Sequence, residues 1–151
     1  MLYTCHRFFG TSLPENGYKS FNPKHPTNLW IQDSQSNYNY AVTLAKYLCI
    51  EYTHRYNKIH KCQDHVDWLS LNIPVFKERS IYTPETYISY NKKLQSAGMT
   101  PVPLAMFDDV KVPDTILAYR NYYNVYKRRF AKWTNRDPPF WFSEINIFSI
   151  K

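Results

Sequence analysis

The chain has 151 residues, of which 44% are hydrophobic, 18% aromatic and 21% charged, and this composition excludes an intrinsically disordered chain. Only three residues are glycine, which excludes the glycine-rich phosphate loops of P-loop and dinucleotide-binding proteins. Nineteen basic and twelve acidic residues give a net charge of +7, which favours a polyanionic partner such as nucleic acid. From this length we expect a single domain over residues 1–151.

The first 57 residues predict two helices separated by a loop. Residues 1–10 are typical of the last turns of a helix closed by Gly10, and no capping residue precedes them. We therefore expect longer relatives to carry a further N-terminal segment. Residues 11–27 are rich in proline and polar residues and predict a loop. Residues 36–57, capped by Ser34 or Ser36, predict a long helix whose apolar face comprises Ala41, Leu44, Ala45, Leu48, Tyr52 and Tyr56.

The middle of the chain predicts two shorter helices. The apolar spacing continues to about residue 70 through Ile59, Cys62, Val66 and Leu69. Residues 72–80 predict a loop. Thr83 before Pro84 and Glu85 is typical of a helix start, and Gly98 of the matching end. Residues 99–113 contain three prolines and predict an extended connection that follows the surface.

The last predicted helix begins at Asp114 as its cap and ends before Pro138 and Pro139. Aromatic and apolar residues recur along one face at steps of three and four: Ile116, Tyr119, Tyr123, Tyr126, Phe130 and Trp133. We expect this stripe to be core and to pack on the long helix through Leu44, Leu48 and Tyr52. The whole pattern predicts a mainly α fold, a compact single-domain helical bundle with long proline-containing loops.

The other side of that helix predicts a nucleic-acid contact. Arg120, Lys127, Arg128 and Lys132 fall on a shared face that could follow a phosphate backbone, because acidic partners are absent from it. The alternative is a solvated helix face without a ligand. Residues 132–142 mix cations with flat rings, which could hold phosphates and stack unpaired bases. We expect Trp133 and Phe140 instead to close the core, and leave Trp141 open between the two roles.

Two other sets of side chains invite chemistry. Cys49, His54, His60, Cys62 and His65 are zinc-ligand types, but their spacing fits no known pattern, so we predict neither a metal nor a cofactor. Whether His60, Cys62 and His65 do more than pack stays open. Glu51 precedes Arg55 by one helical turn, which predicts an ion pair, and a catalytic role would need Glu51 to face a cleft.

The chain is expected to be soluble. It contains no apolar run of membrane-spanning length and no signal-peptide core, which predicts no membrane partner. Its three widely spaced cysteines suit reduced thiols in the cytoplasm.

Several strings resemble one family of small phage-encoded proteins: HPTNLW at 25–30, SNY at 36–38, EYTHRYNKIHK at 51–61, MTP at 99–101, AYRNYY at 118–123 and AKW at 131–133. The layout is distantly similar to the pyrimidine-dimer DNA glycosylases of the endonuclease V type. Three features carry this similarity: RFFG at 7–10, the long helix after the His-Pro loop, and the aromatic tail at 136–142. The resemblance implies a DNA-directed helical protein of the infected bacterial cytoplasm, with Arg7 as a DNA contact.

The resemblance does not extend to the catalytic residues. Such glycosylases use their N-terminal amine as nucleophile and a glutamate of the first helix to assist, whereas residues 1–10 contain no acid. Depending on the alignment, either Thr4 stands where that glutamate would be or the corresponding segment is missing altogether. Glu51 is the substitute that the sequence offers. We expect either a protein of DNA repair or modification or, alternatively, a non-catalytic module that binds nucleic acid or a host protein. The expected contacts with duplex DNA, damaged or intact, are Arg7, Arg55, Lys58, Arg120, Lys127, Arg128, Lys132, Arg136 and Trp141.

Overall fold

In a computed structural model of the chain, the structure describes residues 1–77 and 88–142. These two ranges contain six α-helices and one pair of two-residue strands: α1 (Leu2–Phe8), α2 (Pro26–Asp33), α3 (Gln35–Tyr56), α4 (Gln63–Leu71), β1 (Ile88–Ser89), α5 (Lys92–Ser96), β2 (Val102–Pro103) and α6 (Thr115–Tyr122). The strands β1 and β2 pair antiparallel. The predicted mainly α fold class is therefore confirmed.

Helix α1 ends as its sequence predicts. Gly10 adopts a positive φ of 67°, its N–H donates to the Arg7 carbonyl at 3.3 Å, and the Thr11 N–H donates to the His6 carbonyl at 3.0 Å. This pair of bonds is the Schellman arrangement, which favours glycine because the left-handed conformation strains a residue with a Cβ.

Helix α2 was not predicted, and the loop expected over residues 11–27 is shorter than expected. The helix begins at Pro26, and the His25 Nδ1 atom caps it by accepting from the Thr27 N–H at 3.2 Å. Its buried face includes Asn28 and Gln32 as well as Trp30 and Ile31. Because two of its four buried residues are polar, the apolar periodicity that normally indicates a helix is weak here.

Helix α3 has the predicted bounds but buries a different face. The Ser34 hydroxyl accepts from the Asn37 N–H at 3.1 Å, and Asn57 ends the helix with a φ of 50°. The buried residues are Asn37, Tyr38, Val42 and Cys49, and the helix packs against α1, α2 and α4. Leu44 and Leu48 of the predicted face are exposed, and Leu48 is 62% exposed.

The described elements from α4 to β2 differ from the prediction in two places. Ile59 lies outside the helix and is exposed, whereas Val66 and Leu69 are buried as expected. Thr83, Pro84 and Glu85 lie outside the described residues. Residues 88–90 are extended rather than helical, because the Ser89 hydroxyl is bound to Thr115 Oγ1 at 2.7 Å and to the Val102 carbonyl at 2.9 Å.

The connection at residues 99–113 was predicted to follow the surface, but only part of it does. Residues 105 and 107–109 are exposed, whereas others belong to the core. Met99, Val102, Leu104 and Val110 are buried. Met99 and Val102 join the central cluster with Tyr3, Cys5, Trp30, Ile31, Tyr38, Val42 and Leu69. Proline in this stretch indicates an extended backbone, but it does not determine whether the backbone is covered.

The last helix is the largest error of the prediction. Asp114 caps it as expected, through Oδ1 and the Leu117 N–H at 2.8 Å, but regular α-helix ends at Tyr122. A π-helical turn follows at Tyr123–Lys127 and a 3₁₀ turn at Arg128–Phe130. Since these turns have different pitches, the spacing of three and four residues no longer keeps the whole stripe on one continuous face.

The predicted aromatic stripe is therefore not a continuous core. Tyr119 is half-buried and its hydroxyl donates to the Pro103 carbonyl at 3.2 Å. Tyr126 is half-buried and donates to Asp109 at 2.6 Å. Tyr123 is exposed, and Phe130 is 63% exposed. An apolar groove of about 810 Å³ separates this region from Leu44 and Leu48 of α3, so the expected packing of the two helices is absent there.

Candidate nucleic-acid interface

Residues 115–136 contain six cations and no acid, and we call them the cationic segment. Its cations are Arg120, Lys127, Arg128, Arg129, Lys132 and Arg136. Lys127, Arg129, Lys132 and Arg136 are exposed, and Arg120 and Arg128 are half-buried. The four predicted ridge residues do not lie on one α-helical face, because α6 ends at Tyr122. They are spread over α6, the π-helical turn, the 3₁₀ turn and the segment after it.

Several of these cations lie over aromatic rings. The Arg120 guanidinium carbon is 5.4 Å from the centre of the Phe140 ring and 5.6 Å from that of Trp141. The Arg128 guanidinium carbon is 5.0 Å from the Phe142 ring centre. At these distances each ring face attracts the cation and holds its long side chain against the surface. The result is a surface on which positive charge and flat rings alternate.

In the structure the predicted aromatic tail at 136–142 is continuous with residues 131–135, and from here the name covers residues 131–142. This tail is fastened to α3 by its first turn. The Arg136 N–H donates to the Trp133 carbonyl at 3.3 Å, and Asn135 takes a left-handed φ of 54°. The Asn135 side chain donates to the Arg55 carbonyl at 2.9 Å, and the His54 Nε2 atom donates to the Asn135 carbonyl at 3.0 Å. Residues about 80 positions apart in the chain are thereby joined.

A second turn places the rings at the end of the tail. The Phe142 N–H donates to the Pro139 carbonyl at 2.8 Å, and the Asn124 side chain donates to the Trp141 carbonyl at 3.1 Å. Trp141 and Phe142 are half-buried. Phe140, between them and the prolines, is 88% exposed. The prediction that Phe140 closes the core is wrong, because the turn directs this residue away from the rings beside it.

Glu51 is bound by two arginines. Its Oε1 atom accepts from Arg55 Nε at 2.7 Å and from Arg136 Nε at 2.6 Å. The predicted pair with Arg55 is confirmed, and Arg136 is an addition that sequence spacing could not indicate. The hydrogen bond from Arg55, followed by that from Arg136, lowers the pKa of the Glu51 carboxyl. This carboxyl is therefore held ionised, the wrong state for a proton donor.

A polar pocket of about 590 Å³ surrounds this ion cluster. It is lined by Glu51, His54, Arg55, Trp133, Asn135, Arg136, Asp137 and Pro139. Arg55 crosses it, since its Nη1 atom donates to the Lys132 carbonyl at 2.8 Å and its guanidinium carbon lies 5.0 Å from the Trp133 ring centre. Arg55, Lys132 and Arg136 of the predicted contacts are thus brought together, although Arg55 and Arg136 already neutralise Glu51.

Two predicted DNA contacts lie outside both this ion cluster and the cationic segment with its aromatic tail. The Arg7 guanidinium donates to the carbonyls of Gly17 and Tyr18, so it fastens the loop that follows α1. Lys58 is exposed just beyond the end of α3. Trp141, whose role the sequence leaves open, is half-buried and lies beside Arg120 of the cationic segment.

Of the five thiol and imidazole residues, His60, Cys62 and His65 lie together away from this surface, whereas His54 contacts the tail. The Tyr18 hydroxyl lies 3.6 Å from Cys62 Sγ, the Tyr3 hydroxyl is hydrogen-bonded to His65 Nδ1 at 2.9 Å, and His60 Nδ1 accepts from the Cys62 N–H. In residues 1–77 and 88–142, no three His, Cys, Asp or Glu side chains gather closely enough to bind a metal ion. None of the three cysteines, all of which lie in the described ranges, forms a disulfide.

No protein-family model matches the sequence, and no match is found among curated proteins or among solved structures. The helices of the described ranges include none that is long and apolar enough to cross a membrane.

Sequence reasoning missed several residues that build this surface. Asn124 and Asn135 fasten the tail, and their roles depend on contacts across 17 and 80 positions of the chain. Arg129 lies over the Phe130 ring at 4.5 Å. Arg129 could have been identified from the sequence, because it continues the run of cations from Lys127 and Arg128.

Proposed function

We propose that this protein binds DNA through the cationic segment and the aromatic tail. The observation that carries the proposal is the unbroken run of 22 positions, residues 115–136, with six cations and no acid. Surface helices commonly interleave charges of both signs, whereas an unbalanced run of cations releases counterions when it contacts phosphates. Glu51, in the adjoining polar pocket, is paired with Arg136 of this segment and with Arg55 of α3, which leaves the other five cations of the segment without that carboxylate.

The fixed position of the tail supports this function. A phosphate backbone has a regular charge spacing, so cations on a preorganised surface bind it with less loss of conformational entropy than cations on a mobile chain. Hydrogen bonds from Asn124, Asn135 and His54 hold the tail to the rest of the described residues.

Charge reversal tests the proposal. A variant with Arg120, Lys127, Arg128 and Lys132 all changed to Glu should bind duplex DNA more weakly, and the slope of log Kd against log salt should fall by about 0.9 for each phosphate that the variant no longer neutralises. The matched control changes four exposed lysines outside the segment, Lys19, Lys24, Lys92 and Lys93. A second variant changes only the exposed Lys127 and Lys132 to Glu, so that a loss of binding cannot be attributed to misfolding caused by the half-buried Arg120 and Arg128. Unchanged affinity and slope in both segment variants would overturn the proposal.

The resemblance to pyrimidine-dimer glycosylases extends the proposal to phage DNA repair or modification in the cytoplasm of an infected bacterium. Ultraviolet-irradiated duplex is therefore the ligand to compare with undamaged duplex. Cleavage of the irradiated strand would assign a repair enzyme. Binding without cleavage would assign the alternative, a non-catalytic accessory module.

A further inference from the structure

We propose that the Phe140 ring is a stacking platform for an unpaired base, so that the protein binds single-stranded segments of DNA beside the duplex. This inference rests on the proposed DNA-binding function. The observation behind it is an aromatic ring that is 88% exposed although a folded turn holds its backbone. An exposed phenylalanine alone is common and indicates no function. Here it is combined with a backbone held by a turn and with an adjacent arginine, which together are the features of a stacking site.

The backbone around Phe140 is preorganised. Pro138 and Pro139 restrict the chain before it, the Pro139–Phe142 hydrogen bond of 2.8 Å closes the turn, and Asn124 holds the Trp141 carbonyl. A ring presented in this way loses little conformational entropy when a flat ligand stacks on it.

Arg120 supplies the second requirement. Its guanidinium carbon lies 5.4 Å from the Phe140 ring centre and 5.6 Å from that of Trp141. A base stacked on the Phe140 ring would bring its phosphate near this cation. A ring that stacks the base beside a cation that holds the backbone is the usual arrangement in proteins that bind single strands without sequence preference.

An unpaired base fits this turn better than intact duplex or a membrane surface. Bases inside a duplex are stacked on each other and present only their edges in the grooves. Insertion into a bilayer interface needs several apolar side chains at the same depth, whereas the neighbours of Phe140 in the turn, Trp141 and Phe142, are half-buried.

The test compares four variants with the wild-type chain by fluorescence anisotropy, using single-stranded oligothymidylate and a duplex of the same length. Phe140→Ala should weaken binding of the single strand roughly 5- to 100-fold and change duplex binding less than about twofold. Phe140→Leu keeps an apolar side chain without a π face and should weaken binding of the single strand by a similar factor. Phe140→Tyr should bind like wild type. Phe21→Ala removes a ring that is also exposed, at 75%, from the loop before α2 and should have no effect.

The outcomes distinguish a failure of this inference from a failure of the proposed DNA-binding function. Binding of neither single strand nor duplex by the wild-type chain overturns both. Loss of duplex binding in the charge-reversed variant, with unchanged single-strand binding by Phe140→Ala, overturns the inference alone. Retained binding by Phe140→Leu would replace stacking with simple apolar contact. Anionic phosphatidylserine vesicles form a third arm, and binding to them that depends on Phe140, without such dependence for oligothymidylate, would assign a membrane surface instead.

Discussion

At the scale of single residues, His6 is a buried histidine whose protonation should limit stability in acid. Its Nε2 atom is hydrogen-bonded at 2.7 Å to the Tyr38 hydroxyl, which donates its own proton to the Leu69 carbonyl at 3.0 Å. Nε2 therefore carries the ring proton, and Nδ1 is buried without a hydrogen-bond partner within the described residues. Burial lowers the pKa of His6 to about 4.

The sign of the pH effect follows from this shift. Because the unfolded chain binds the proton near pH 6.5 and the folded chain only near pH 4, stability is complete above pH 6.5 and declines as the pH falls toward 4. The free energy of unfolding should drop by about 2–3 kcal/mol between pH 7 and pH 4.5. Urea unfolding at the two pH values measures it.

A matched pair of variants isolates His6 in that experiment. His6→Gln retains a donor for Tyr38 but does not titrate, so most of the difference between pH 7 and pH 4.5 should disappear. His60→Gln, at a half-buried histidine, should retain it. Equal pH dependence in wild type and His6→Gln would assign the acid sensitivity to other groups.

Glu51 shows how far residue-level prediction reaches. Its pairing with Arg55 follows from helical spacing, because side chains four apart lie on one face. Its pairing with Arg136 joins positions 85 apart and depends on the turn around Asn135. A local pattern thus predicted one half of the ion cluster, and the other half required the tertiary fold.

At the scale of elements, three caps, at Gly10, Ser34 and Asp114, were predicted better than the buried faces of the helices. Ser34, Gly10 and Asp114 act on backbone groups within a few residues, so local sequence is enough to identify them. Which face is buried depends on the neighbours that the fold supplies. Helix α3 has apolar side chains on more than one face, and α1, α2 and α4 cover the one containing Tyr38 and Val42.

The change of pitch after Tyr122 gives an element-scale prediction. Phe130 belongs to the predicted core stripe, but the π-helical and 3₁₀ turns leave it 63% exposed. Phe130→Ala should therefore reduce the free energy of unfolding by less than about 1 kcal/mol. Leu69→Ala removes a side chain that is 4% exposed and should cost about 2–5 kcal/mol. Chemical denaturation of both variants checks the contrast.

A large loss of stability in Phe130→Ala would contradict this description. It would show that the α-helical period continues through Lys127 and that the aromatic stripe packs as core. A small loss in Leu69→Ala would instead place the central cluster elsewhere, since Leu69 contacts Tyr38 and its neighbours there.

At the scale of the whole molecule, the candidate interface combines two distant parts of the chain. The end of α3 supplies Glu51, His54 and Arg55, and the tail supplies Asn135 and Arg136. The sequence indicated that cations and rings were concentrated near the end of the chain, because such a concentration is visible in consecutive residues. It could not indicate that α3 would anchor the tail, or that Phe140 rather than Trp141 would be the exposed ring.

The position of Glu51 in this interface, away from the N-terminal amine, determines whether the protein can perform glycosylase-lyase chemistry. An amine attacks the sugar C1′ only when it is unprotonated and beside an acid that protonates the departing or opened oxygen. Residues 1–10 contain no carboxylate, and no carboxylate lies among the described residues that line the two cavities bordered by Met1. Glu51 lies instead in the polar pocket, where Arg55 and Arg136 lower its pKa.

We therefore expect residues 1–151 to form no borohydride-trapped covalent complex with ultraviolet-irradiated DNA, even at concentrations where the DNA is fully bound. The measurement is a denaturing gel after borohydride treatment, with undamaged duplex as the reference. Binding must be verified in the same samples, because an unbound chain would also give no complex. A trapped complex would contradict this prediction. Its loss in Glu51→Gln, with DNA affinity retained, would then make Glu51 the catalytic acid despite its two arginine partners.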